Sequence, residues 1–127
     1  MLVAAGHAVT GTTRNSNKAA SISSAGATPS VVDALNPRDI LEAVRQANPD
    51  VIIHQLTAIP ARFDLRRFDQ EFAATNRLRT EGTDNLLAAA HAVGCRRFIA
   101  QSYTGWPYER SGRMAEKLNR TRSFPLP

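Results

Sequence analysis

Side chains able to do chemistry are sparse in this chain, and their spacing decides what they can do. His7, His54 and His91 are the only histidines, and they lack metal-ligand spacing. Cys95 is the single cysteine, so neither a disulfide within the chain nor a cysteine metal cluster can form. It lies between a helix stop and an apolar run and reads as a small core residue. The glycine-containing stretches GTTR (11–14) and GTDN (82–85) are not phosphate-binding loops, because a G-x-x-G-x-x-G or Walker pattern is absent. His54 closes the apolar run Val51-Ile52-Ile53 and reads as a histidine buried at a strand end rather than as a catalytic base.

The elements that must position these residues fit one domain of 127 residues. Hydrophobic content of 43% with 21% charged residues is ordinary for a globular chain. No apolar run approaches the roughly 20 residues that span a bilayer. The apolar N-terminus is short and lacks a basic start, so it does not read as a signal peptide. With one cysteine, a cytoplasmic location is expected. The net charge of +5 raises nucleic acid as a partner. Between Glu109 and Arg122, however, stand five basic residues and two acidic ones, so the excess gathers in a tail and argues against that partner.

Along the chain, strand and helix signals alternate. Residues 1–14 read as a last helical turn, a stop at Gly6 and a strand ending at Arg14. Asn15 or Ser16 can cap a helix running to about Ala25, with Gly26 beyond it. Thr28 to Val32 is the next strand. Asn36-Pro37 is the clearest helix start, with Ile40, Leu41, Val44 and Ala47 at helical spacing behind it. Val51-Ile52-Ile53 suits a strand buried on both faces. One long helix is predicted over about Arg67 to Val93, ended by Gly94. A last strand covers Arg96 to Gln101, centred on Phe98-Ile99-Ala100. The predicted domain is residues 1–106, and residues 107–127 form a basic tail expected to be poorly ordered.

This alternation predicts an α/β fold, a partial doubly wound parallel sheet lacking the first strand and the Gly-rich loop. In a dinucleotide fold the strand order is 3-2-1-4-5, so the absent strand would be the central one. The sheet then either closes by direct pairing across the gap or the isolated chain is unstable, and an exposed central edge would invite self-association.

The blocks VVDALNP, DVIIHQLTA and NRLRTEGTDNLLAAAHAVGCRRFIAQS, in that order, resemble the NAD(P)-dependent epimerase/dehydratases, the extended branch of the short-chain dehydrogenases. The resemblance covers about residues 1–108 and implies a Rossmann-like domain with a nicotinamide dinucleotide as cofactor. It places Arg14 where the adenosine ribose is read. With no acidic residue there, an Arg can meet the 2′-phosphate, which favours NADP over NAD, or it is a solvated loop residue. Asp33 and Ala34 fall at the adenine-binding position, though Asp33 can also simply turn the chain before Asn36. His54-Gln55-Leu56-Thr57 resembles the H-x-A-A block, which lines the ribose and pyrophosphate. Leu56 and Thr57 are then cofactor-binding positions, with Leu56 larger than the family's small residue. Gly82-Thr83 matches the N-x-x-G-T motif. Arg79 stands at the motif's Asn position, and Asn76, one turn earlier, is the substitute.

The same resemblance places Ser102 and Tyr103 at the catalytic edge, Ser102 to hold a substrate hydroxyl or carbonyl. The family's Tyr-x-x-x-Lys pair is disturbed, since Gly112 stands four residues after Tyr108 and Pro107 four after Tyr103. Trp106 covers the nicotinamide pocket or packs in the core. The expected activity is hydride transfer at a carbonyl or hydroxyl carbon, as on a nucleotide sugar, with this chain catalytically incomplete. The alternatives are a non-catalytic dinucleotide-binding or regulatory module, or a gene fragment without independent function. No metal is expected.

Overall fold

The computed structural model describes residues 1–59 and 67–101. Its elements run β1 (Thr10–Thr13), α1 (Ala19–Ser24), β2 (Thr28–Val31), α2 (Pro37–Ala47), β3 (Val51–His54), α3 (Phe68–Arg79), α4 (Glu81–Ala92) and β4 (Arg97–Ala100). Short 3₁₀ turns precede β1 at Val3–Ala5 and α1 at Ser16–Lys18.

Local chemistry explains most of these boundaries. Asn36 caps α2 by accepting from the Arg38 N–H at 3.1 Å, and Pro37 occupies the first turn, where no N–H is needed. Asn48 ends α2 in the left-handed region at φ 41°, with Pro49 behind it. Gly11 is required on β1 because a Cβ there would lie 2.9 Å from Ile22 Cγ2 of α1. Gly26 combines φ +80° with a Val3 methyl 2.9 Å from where its Cβ would be.

The strands form two parallel pairs. β1 pairs β2 from Thr10↔Thr28 to Thr13↔Val31, and β3 pairs β4 from Val51↔Arg97 to His54↔Ala100. No ladder joins the two pairs among the described residues, so direct pairing does not close the gap between β1 and β3. Helices hold the halves together instead. Val32 and Ala34, from the chain leaving β2, share one apolar cluster with Ile40 and Val44 of α2, Leu78 of α3, and Leu86 and Ala89 of α4. Ile52 of β3 and Phe98 of β4 pack against the same cluster.

Two expectations change here. The long helix is broken at Thr80, whose φ −98° and ψ −82° are not helical. The Thr80 hydroxyl donates to the Asn76 carbonyl at 3.0 Å, a local bond that competes with helix continuation. The Arg77–Glu81 ion pair, at 2.7 Å, spans the break. The run at β3 is also not buried on both faces. Ile52 and His54 point into the cluster side, whereas Val51 is 42% and Ile53 46% exposed. Ile99, in register with Ile53, shares that open face at 51% exposed. No helix among the described residues is long and apolar enough to cross a membrane.

Candidate functional site

Parallel strands end at a common edge, and in open α/β sheets ligands bind outside those carboxyl ends. Among the described residues, loops follow the carboxyl ends of β1 and β2 in one pair and of β3 in the other, and Gln101 follows β4.

The loop after β1 is built from near neighbours. The Thr13 carbonyl accepts from the Val32 N–H at 2.9 Å, so Arg14 and Asp33 leave the sheet side by side. Arg14 is exposed. Thr13 Oγ1 accepts from the Asn15 N–H at 3.1 Å, and Asn15 Oδ1 from the Asn17 N–H at 2.9 Å. Lys18 joins Thr12, Thr13 and Ser21 around an open cleft of about 610 Å³ beside α1.

After β2, Asp33 Oδ1 accepts from the Leu35 N–H at 3.0 Å, so one carboxylate oxygen shapes the turn. Ala34 is buried, and its carbonyl accepts from Asn85 Nδ2 of α4 at 3.0 Å. A Cβ on Gly82 would meet Ala34 Cβ and O at 3.9 Å, ordinary contact, so α4 lies directly against this turn.

The loop after β3 is pinned from inside the protein. His54, 5% exposed, accepts the Leu56 N–H at Nδ1 over 3.1 Å. Its Nε2 lies 2.9 Å from Thr83 Oγ1 of α4. Thr83 Oγ1 in turn donates to the Arg79 carbonyl at 2.6 Å. The Ala58 N–H donates to Thr75 Oγ1 at 3.0 Å, and Thr75 is 1% exposed. Burial holds the His54 pKa below its ordinary value. The Leu78 carbonyl, accepting from the ring, acts the other way, and the Arg79 charge lowers it further. A cavity of about 300 Å³ opens beside this ring, lined by His54, Arg79, Thr83, Ala100 and Gln101.

Arg14, Asp33 and Ala34 thus follow the carboxyl ends of one strand pair and Leu56 and Thr57 that of the other, with Ala34 and His54 both bonded to α4. Leu56 packs its side chain against the apolar cluster and spends its N–H on His54, which makes it a support of the loop. Its bulk is directed into the protein, so it does not obstruct an approaching ligand. Gln55 and Thr57 are exposed. Asn76 is exposed on α3, and its carbonyl is used by Thr80. Arg79, at the family's Asn position, lines the cavity beside His54. Ser102 and Tyr103 lie outside the described residues, as do Trp106, Tyr108 and the basic tail. Among the described residues, no three His, Cys, Asp or Glu side chains gather to hold a metal.

Sequence reasoning missed Asn85 and Thr75. Their signal is a polar residue on an otherwise apolar helical stripe. Thr75 stands three before Leu78, and Asn85 stands three after Gly82 and four before Ala89.

The strand ends offer a carboxylate at Asp33, an exposed guanidinium at Arg14 and outward positions at Gln55 and Thr57. No solved structure matches the chain. A Streptomyces protein named 3-diazoavenalumate denitrifying reductase is 51% identical over 74 residues, 57% of this chain and 23% of that protein. The match therefore spans less than a quarter of the curated relative. Residues 1–124 match the NAD(P)H-binding family, more than half of the sequence, and the chain belongs to that family.

Proposed function

We propose that this chain supplies the adenosine-binding side of an NAD(P)H-dependent reductase resembling the epimerase/dehydratases. One observation carries the reading: Arg14, Asp33, Ala34 and the 55–58 loop follow the carboxyl ends of parallel strands, with Ala34 and His54 both bonded to α4, in a chain of the NAD(P)H-binding family. Arg14 meets the 2′-phosphate, which favours NADP over NAD. Asp33 accepts from the adenine amine, and the Ala34 backbone lies along the ring. Leu56, Thr57 and Asn76 border the ribose and pyrophosphate. When bound, the dinucleotide supplies hydride transfer at a carbonyl or hydroxyl carbon. Ser102 holds the substrate oxygen, with Tyr103 beside it. The reductase relative supports this reaction class for the chain.

A second reading is a non-catalytic dinucleotide-binding module. It is favoured by the absence of lysine four residues after either Tyr103 or Tyr108. The edges of β1 and β3 that are unpaired among the described residues also provide a route to self-association.

Calorimetric titration of the full chain with NADPH, NADH, 2′,5′-ADP and 5′-AMP tests the proposal. The expected result is saturable binding of all four, tighter for the pair carrying a 2′-phosphate. Absence of binding by every adenine nucleotide would sink it. Binding without turnover across a panel of carbonyl substrates would favour the non-catalytic module.

A further inference from the structure

We propose that His54 is a positioning residue that holds the 55–58 loop in its ligand-facing shape only while its imidazole is neutral and protonated at Nε2. The link to dinucleotide affinity rests on the function proposed above; the clasp itself does not.

The hydrogen-bond directions fix the tautomer. The Leu56 N–H can only donate, so Nδ1, 3.1 Å away, must be the acceptor. Thr83 Oγ1 commits its proton to the Arg79 carbonyl at 2.6 Å, so towards His54 it can only accept. Nε2, 2.9 Å from that oxygen, must therefore carry the hydrogen. Both ring nitrogens are used, one in each role. The result is a directed chain from the Leu56 amide through the imidazole and the Thr83 hydroxyl to α3.

Protonation breaks this chain at one place. A second proton must enter at Nδ1, where it confronts the Leu56 N–H, and attraction becomes repulsion. The Nε2 side is untouched, because it already donates. Leu56 is released, while Ala58 stays tied to Thr75. The Leu78 carbonyl of α3, accepting from the ring, favours an imidazolium, but burial outweighs it. From α3 comes the Arg79 charge, which opposes protonation. From α4 comes the uncharged Thr83 hydroxyl. From β4 comes the Phe98 ring, edge-on with centroids 6.3 Å apart. No carboxylate acts on the ring among the described residues. Burial and Arg79 thus favour the neutral ring that the clasp requires.

Nitrogen NMR of the full chain across pH, paired with amide exchange and NADPH calorimetry, tests this. At about pH 7.5 the ring shifts should be those of a neutral Nε2–H tautomer. As the ring titrates, below about 6.5, exchange protection at Leu56 should fall about tenfold or more, while Ala58 changes less. NADPH affinity should fall in the same pH range by about tenfold. Thr83→Val should weaken Leu56 protection at neutral pH, and Thr83→Ser should restore it. These arms do not depend on a His54→Gln chain folding; if it folds, its NADPH affinity should lose this pH step. An Nδ1–H tautomer, or Leu56 protection indifferent to ring titration, overturns the clasp. If the ring and Leu56 behave as expected but NADPH binds at no pH, the clasp stands and the dinucleotide function falls.

Discussion

The loops after β1 and β3 each follow the carboxyl end of a parallel strand, yet they are held by different kinds of bond. After β1, the side-chain bonds reach two residues along the chain, from Thr13 to Asn15 and from Asn15 to Asn17. After β3, they reach across 29 residues from His54 to Thr83 and across 17 from Ala58 to Thr75. The first loop can therefore change its side chains without disturbing the core. The second cannot, because its backbone is part of how α3 and α4 dock. The exposed Arg14 and the buried His54 can therefore be altered separately.

Replacing Ile40, 1% exposed, by Ala removes the support common to both regions. It should cost about 2–5 kcal/mol and abolish a cooperative urea transition. A cooperative transition retained near the wild-type midpoint would show that the two halves do not depend on α2.

Next in size, Thr83→Val and Asn85→Ala should each lose about 1–3 kcal/mol, because each deprives a buried group of its partner. Asn15→Ala, which removes only a local cap, should lose about 1 kcal/mol or less. Equal losses at the two ends would erase the distinction drawn between them. Urea midpoints read all three.

Acid sharpens the contrast further. Burial lowers the His54 pKa, so the unfolded ring binds the proton first. Above the ordinary value near 6.5, both states are neutral and His54 adds no pH dependence. Below it, stability should fall until the folded ring also titrates. Wild-type urea midpoints compared with those of a His54→Gln chain at about pH 5 and pH 8 isolate this term. A pH slope unchanged by the substitution would count against it.

Arg14→Ala should change stability by less than about 0.5 kcal/mol while reducing any preference for NADPH over NADH. Titration with both nucleotides checks it. Smallest of all, Glu81→Gln removes an exposed pair with Arg77 and should leave the thermal midpoint within error.

Much of the fold was legible because it follows from local rules. Asn36-Pro37 starts α2 and Asn48-Pro49 ends it by cap and φ preferences that need no tertiary partner. The order of elements placed Arg14, Asp33 and Thr57 just after strands, and the strand pairs found by the structure leave them there. Leu56 was legible as a position but not in its direction, since only docking against the cluster turns its side chain inward. Periodicity could not show the break at Thr80, because a threonine hydroxyl bonding back along a helix leaves the apolar spacing intact.

The sequence by itself determined most caps and stops, the parallel α/β plan and the NAD(P)H-binding character, since each depends on neighbours along the chain or on ordered blocks of residues. The tertiary structure decided which side chains clasp the site: His54 with Thr83, Ala58 with Thr75, and Ala34 with Asn85 across 51 residues. It also decided that Val51 and Ile53 lie on an open face, though they sit in the same apolar run as Ile52. The physical reason is common to both. A residue's long-range partner is set by where crossover helices land on the sheet, and no local preference encodes that.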